Sequence, residues 1–131
     1  MSTTQTAKVL THFIGGQMIE GTSARFADVF NPSTGEVIAK VPLATAEETR
    51  LAIEKAKLAF PSWRDLSVAK RAEIVLKFRN LITVNQDKLI ELICTESGKT
   101  VEDAKGEITR GLESVDLAIS APHLMKGEYS V

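Results

Sequence analysis

The sequence predicts an α+β fold in which two β-hairpins precede about four helices. Short apolar segments separated by glycine or proline occupy the chain up to Pro42, whereas later apolar residues recur every three or four positions. No internal repeat, low-complexity tract or linker interrupts this order. We therefore expect a single α+β unit, incomplete as a domain because isolated hairpins need a further surface to cover them.

Two turn sequences predict the hairpins. Gly15 and Gly16 separate two short apolar segments, and both can adopt the positive φ that a two-residue turn requires. Within residues 28–41, the φ of Pro32 is preset for a turn, and Gly35 suits the left-handed position that closes it.

Capping residues predict where the helices begin. Thr45 and Glu48 form a capping box, in which the hydroxyl binds the Glu48 amide and the carboxylate returns to the amide of the cap. Further N-caps are predicted at Ser67, Asn85 and Thr100.

Glycine and proline predict where the helices end. Pro61 should end the first helix and leave Trp63 in the connection, where we expect its ring in the core between helices. Gly98 suits the residue after the third helix, and Pro122 should end the last one. Whether the second and third helices are one bent helix or two is left open.

Charge and composition exclude several classes of partner. Sixteen Lys and Arg against seventeen Asp and Glu leave no charge excess for nucleic acid or anionic lipid. The apolar runs are too short to span a membrane, and the Ser/Thr-rich opening of residues 1–11, an expected flexible leader, lacks a signal-peptide pattern. A single cysteine fits a reducing compartment, so we expect a cytoplasmic protein.

Most residues whose types could catalyse a reaction or bind a ligand are expected to have structural roles in this sequence. Cys94 lies beside the apolar stripe of the third helix and is expected to be a packing cysteine, not a nucleophile. His12 and His123 lack metal-ligand spacing, so no metal is expected. Ser97–Thr100 echoes a phosphate-binding loop but lacks its first glycine and follows a helix, so no cofactor-binding residue is predicted.

Arg110 is the one candidate binding residue. It lies near the edge of the apolar stripe of the last predicted helix, beside Gly111 and four residues after Gly106. Interior helix glycines disfavour the helix, so close packing or ligand approach would explain them. From the pattern alone Arg110 either points into a pocket or is simply solvated.

Six stretches resemble a known enzyme family. HFIGGQ from His12, FNPSTGE from Phe30, FPSW from Phe60 and ESGK from Glu96 resemble, in order, the beginning of aldehyde dehydrogenases. DAKGEITRGLE from Asp103 and APHLMKGE from Ala121 are similar to the CoA-acylating methylmalonate-semialdehyde dehydrogenase branch.

The resemblance implies that residues 12–131 are a partial amino-terminal, NAD-binding domain with a Rossmann-like α/β fold. Family members are several times longer, and their nucleophilic cysteine, oxyanion asparagine and nucleotide-binding turn correspond to positions after Val131. No catalytic residue is therefore expected in this chain, which alone should be inactive and should not bind NAD or CoA well.

For the parent enzyme, the resemblance implies a homo-oligomer that takes a small semialdehyde with CoA and NAD, as in valine catabolism. It also implies that Arg110 reads the substrate carboxylate, which a guanidinium can hold bidentately. The alternative is a non-catalytic helical assembly or binding module derived from that fold.

Overall fold

The computed structural model describes residues 7–128, and the chain divides into two compact units. Of the described residues, one unit comprises residues 7–61 together with Glu96–Gly98, and the other comprises Ser62–Thr95 together with residues 99–128. The order of strands before helices confirms the α+β prediction. The strands of the first unit pair with one another, whereas the helices after Pro61 pack with one another.

The described part of the first unit contains two small sheets. Their strands are β1 (Lys8–Val9), β2 (His12–Ile14), β3 (Gln17–Ile19), β4 (Phe26–Phe30) and β5 (Val37–Pro42). β2 pairs with β3 and β4 pairs with β5, both antiparallel, which confirms the two predicted hairpins. The turn glycines have the expected positive φ, 62° at Gly15, 80° at Gly16 and 74° at Gly35.

The sequence did not predict β1, which pairs parallel with β5, with Lys8 opposite Ala39. The larger sheet therefore has the order β1-β5-β4. Residues 1–6 of the expected leader lie outside the described residues, but its later part supplies this strand. A strand of two residues has no readable periodicity, so its pairing depends on the edge that β5 offers.

The first helix, α1, runs from Ala46 to Arg64. The prediction that Pro61 ends it is wrong, because Pro61 lies inside the helix and the helix continues for three more residues. Proline removes one hydrogen-bond donor, but its fixed φ is helical, so a last turn can still form after it. Trp63 consequently lies in that turn, and at 40% exposure it is not the core residue expected.

The second unit contains four further helices, α2 (Val68–Val84), α3 (Gln86–Ser97), α4 (Val101–Ile119) and the short α5 (Ala121–Leu124). The hydroxyl of Ser67 accepts from the Lys70 amide at 3.3 Å, which confirms that cap. α4 ends at Ile119, before Pro122, which instead lies within α5.

Asn85 separates α2 from α3, so the segment forms two helices. The prediction that its side chain caps α3 is wrong. The amide Nδ2 donates to the Leu81 carbonyl at 2.8 Å, which is the carbonyl one turn earlier in α2. The side chain thus adds a second donor to the Leu81 carbonyl, which also accepts from the Asn85 backbone amide at 3.1 Å.

The core of the second unit is small. Ile90 of α3 packs with Ala104 and Ile108 of α4, which are 6%, 0% and 7% exposed. Cys94 is partly buried against this cluster, as expected of a packing cysteine. Since few large side chains are buried, each core residue carries much of the stability.

Candidate functional site

The carboxylates and cations of the early part of α4 surround an open cleft of about 490 Å³. Its lining residues are Lys99, Glu102, Asp103, Gly106, Glu107 and Arg110. The Thr100 cap sets where this helix begins, since its hydroxyl accepts from the Asp103 amide at 3.2 Å. Residues 102–110 therefore present their charges at helical spacing along one side of the cleft.

Each carboxylate of the cleft has a partner. Glu102 accepts from Lys105 Nζ at 2.9 Å, and Asp103 Oδ2 accepts from the Thr100 hydroxyl at 2.8 Å. Glu107 is paired with Lys99. Lysines offset the charges of Glu107 and Glu102, whereas the partner of Asp103 is a neutral hydroxyl.

Arg110 differs from these residues, because no ion pair or side-chain hydrogen bond joins its guanidinium to the described residues. It is exposed and lines the cleft. Of the two alternatives that the sequence left open, the structure combines parts of both: a solvated guanidinium that faces a concave surface. It is the one lining charge in this part of the chain with no described partner.

The guanidinium of Arg110 lies beside Gly106, one turn earlier in α4. A Cβ built at Gly106 would lie 3.4 Å from Arg110 Nη1, so the arginine side chain folds back over the preceding turn. Gly111, by contrast, has nothing within 4 Å of such a Cβ. Only the first of the two helix glycines therefore lies beside the candidate binding group.

The other residues considered from the sequence do not join this cleft. Cys94 is held against the core cluster. His123 lies exposed on α5. Among residues 7–128, no group of three or more side chains could hold a metal ion, and no helix has the length and apolarity to cross a membrane.

A dinucleotide would need glycine amides at a strand-to-helix turn. The connection from β5 to α1, residues 43–45, contains no glycine. The positive-φ glycines of the described chain lie instead in the two hairpins and, at Gly98 with φ 66°, after α3. Lys99 is bound to Glu107. The described residues therefore do not fit an NAD site.

Glu48 forms a polar centre that sequence reasoning identified only as a cap. One oxygen accepts from the Thr22 amide at 2.6 Å and its hydroxyl at 3.0 Å, and the other accepts from the Thr45 amide at 2.7 Å. These bonds, above all the one from the Thr45 amide and then that from the Thr22 amide, lower the pKa of Glu48 to about 2. Glu48 is 8% exposed. It fastens the loop after β3 to the start of α1.

His12 lies beside this centre. Its Nε2 is 3.8 Å from Glu48 Oε2, buried and without a hydrogen-bond partner. The Thr45 amide and the capping hydroxyl were predictable, but no sequence signal indicated Thr22 or His12. We interpret the cluster as structural, since the hydrogen bonds of Glu48 are satisfied within the fold.

Comparison with known proteins agrees with the resemblance found in the sequence. The profile of the aldehyde dehydrogenase family matches residues 18–130. Over 121 residues the chain is 50% identical to the malonate-semialdehyde dehydrogenase of Pseudomonas aeruginosa, covering 92% of this chain and 24% of that protein. It is 48% identical over 118 residues to an acylating mitochondrial methylmalonate-semialdehyde dehydrogenase of Arabidopsis thaliana. That match covers 90% of this chain and 19% of the Arabidopsis protein.

A solved structure gives the same result. The fold matches, with a TM-score of 0.91 and 42% identity, a protein of Sinorhizobium meliloti described as a methylmalonate-semialdehyde dehydrogenase and crystallised with NAD. The match covers 97% of this chain and 26% of that one, so the chain spans about a quarter of the length of such relatives. By its sequence and by its fold, this chain belongs to the aldehyde dehydrogenase family and forms the amino-terminal part of that fold.

Proposed function

We propose that the chain is the amino-terminal part of an NAD-dependent, CoA-acylating dehydrogenase of methylmalonate or malonate semialdehyde. The reaction would convert the semialdehyde, CoA and NAD to propionyl-CoA or acetyl-CoA, carbon dioxide and NADH. The identity of about half to relatives named for these substrates supports the substrate class. A homo-oligomer and a cytoplasmic location remain predictions.

The single observation that carries the proposal is the unpartnered guanidinium of Arg110 in the cleft on α4. Both proposed substrates carry a carboxylate at the end opposite the aldehyde. A guanidinium without a competing carboxylate can bind that group through two parallel hydrogen bonds. Arg110 would thus orient the substrate and take no part in bond making.

The chain alone should be inactive. Its one cysteine, Cys94, is partly buried against the core cluster, and no hydrogen bond joins its thiol to a base among the described residues. The described residues also offer no turn for the NAD pyrophosphate. We infer that the nucleophile, the oxyanion-binding asparagine and both cofactor sites belong to polypeptide that this chain does not include.

The test is NADH formation from methylmalonate semialdehyde, with and without CoA, by the 131-residue chain and by the longest native polypeptide that contains it. We expect activity and acyl-CoA only in the longer form. Propionaldehyde, which lacks the carboxylate, is the control substrate for methylmalonate semialdehyde. Acyl-CoA formation by the short chain, or a free acid as the product of the long one, would refute the assignment.

Arg110→Leu tests the substrate-binding role in the longer form. Loss of hydrogen bonds to a charged group should raise KM for methylmalonate semialdehyde roughly 10- to 100-fold, with little change for propionaldehyde. An unchanged preference between the two aldehydes would refute the role of Arg110 and leave the reaction class untouched.

The second candidate is a non-catalytic assembly or binding module. Large apolar side chains exposed on the second unit favour it, such as Phe78 at 54%, Leu81 at 62% and Leu117 at 62%. Such a module should be monodisperse as the short chain and unfold cooperatively. A chain lacking an independent role should self-associate, which size-exclusion chromatography with light scattering would detect.

A further inference from the structure

One carboxylate of the cleft stands within helical reach of Arg110. Glu107 precedes it by three residues on α4, and side chains at that spacing are neighbours on a helix surface. An ion pair between them would neutralise the group proposed to hold the substrate. In the structure Glu107 pairs instead with Lys99, which lies just before the Thr100 cap.

We propose that Lys99 is a positioning residue that keeps Arg110 available to a carboxylate substrate by holding Glu107 away from it. The inference rests on the proposed role of Arg110 in substrate binding. Lys99 acts through Glu107 and does not itself contact the substrate. Its contribution is to keep Glu107 from pairing with Arg110. Without Lys99, an anion would have to displace Glu107 each time it binds.

The helix start explains why Lys99 engages Glu107. Asp103, the other nearby acidic residue, is occupied by the Thr100 hydroxyl at 2.8 Å, and its amide binds the same oxygen. Glu102 is bound to Lys105. Glu107 is thus the carboxylate left for Lys99, and the cleft has one cation without an internal partner, Arg110.

Burial sets the size of the expected effect. The side chains of Lys99 and Glu107 are 39% and 38% exposed, so a Glu107–Arg110 pair formed in the absence of Lys99 would be a partly solvated one. Exposed pairs are weak, and a competitor of that strength should reduce affinity for an anion by roughly two- to fivefold. Calorimetry resolves a change of that size.

The experiment measures binding of 3-hydroxypropionate, a stable carboxylate that resembles the semialdehyde, to the longest native polypeptide containing this chain. The variants are Lys99→Gln, Lys99→Arg and the double variant Lys99→Gln/Glu107→Gln. Lys105→Gln is the matched control, because it also removes one lysine that is paired with a glutamate of the cleft, but its partner Glu102 lies eight residues from Arg110. Arg110→Leu tests the proposed function on which the inference rests.

We expect Lys99→Gln to weaken binding roughly two- to fivefold, and Lys99→Arg, the double variant and Lys105→Gln to bind as the unaltered protein does. A crystal structure of Lys99→Gln should place Glu107 within ion-pair distance of Arg110. Equal weakening in the single and double variants would overturn the inference, because Lys99 would then act on the ligand directly or on the fold.

The two proposals fail in different ways. If Arg110→Leu binds 3-hydroxypropionate normally, the proposed substrate-binding role is wrong and the Lys99 inference falls with it. If Arg110→Leu loses binding but Lys99→Gln keeps it, Arg110 binds the carboxylate and only the inference is wrong. If Lys105→Gln and Lys99→Gln weaken binding of 3-hydroxypropionate equally, the cause is the loss of one positive charge near the cleft. That result would overturn the inference.

Discussion

Gly106 and Arg110 lie one turn apart on α4, and a methyl group at Gly106 would stand 3.4 Å from Arg110 Nη1. That separation is an ordinary van der Waals contact, so an added methyl group would touch the end of a flexible side chain without a clash. The guanidinium folds back along the helix and lies beside Gly106. This relationship places the candidate binding group next to a helix-destabilising residue.

Gly106→Ala should stabilise the helix and leave the site nearly unchanged. Alanine in a helix interior is favoured over glycine by about 1 kcal/mol, so the melting temperature should rise. Because the added Cβ would only touch Arg110 Nη1, affinity for 3-hydroxypropionate, measured by calorimetry on the longest native polypeptide, should change little.

Gly111→Ala is the control for that change, since nothing lies within 4 Å of its Cβ. It should give a similar rise in melting temperature with unchanged affinity. Clearly weaker binding by Gly106→Ala alone would contradict this expectation and show that Arg110 needs the empty position at residue 106.

Glu48→Gln should reduce stability most at neutral pH. The hydrogen bonds of Glu48 lower its pKa from 4.5 to about 2 in the folded state. A lowered carboxyl pKa contributes stability that is fully present above the unfolded value and is lost as pH falls toward the folded value. The difference in unfolding free energy between the two proteins should therefore be largest at pH 7 and shrink between about pH 4.5 and pH 2.

Urea unfolding across that pH range measures the difference. Glu47→Gln is the matched control, because Glu47 lies beside Glu48 in the first turn of α1 and its side chain is 78% exposed. It should change stability little at any pH. A difference for Glu48→Gln that stays constant between neutral and acid pH would contradict the role of its charge.

Gly21→Ala should destabilise the first unit. A Cβ at Gly21 would lie 2.6 Å from Pro42 Cβ, a distance at which the backbone must move. Overpacking of this kind costs roughly 1–3 kcal/mol. Thermal unfolding should show a lower transition temperature, whereas Gly111→Ala, in open space, should not lower it.

Ile108→Ala should destabilise the second unit more than any exposed apolar substitution. Ile108 is 7% exposed and belongs to the cluster with Ile90 and Ala104, so its truncation should cost about 2–5 kcal/mol. Leu117→Ala, on the same helix but 62% exposed, should cost well under 1 kcal/mol. Equal losses in urea unfolding would show that the described core does not carry the stability.

The sequence determined the features that depend on residues within one turn of each other. Gly15 and Gly16 specify the first hairpin through their positive φ. Thr45 and Thr100 begin helices because their hydroxyls reach amides three residues later. Ordered motifs also sufficed to identify the family.

The type of a single residue did not predict the local structure where two local preferences competed. Pro61 carried a helix-ending signal, but its φ also fits a helix, and the last turn formed beyond it. Asn85 could bond backward or forward, and it bonded to the carbonyl of Leu81 behind it. In each case both local structures are compatible with the backbone, so the residue type alone does not determine which one forms.

Only the tertiary structure decided which distant groups meet. The pairing of Lys8–Val9 with β5, the bonds from Thr22 to Glu48 and the pairing of Lys99 with Glu107 join residues that no local pattern connects. Sequence placed Arg110 at the edge of an apolar stripe but could not say whether a carboxylate neutralises it. Short-range preferences are set by covalent geometry along the chain, whereas the choice of partner depends on where the folded backbone brings each side chain.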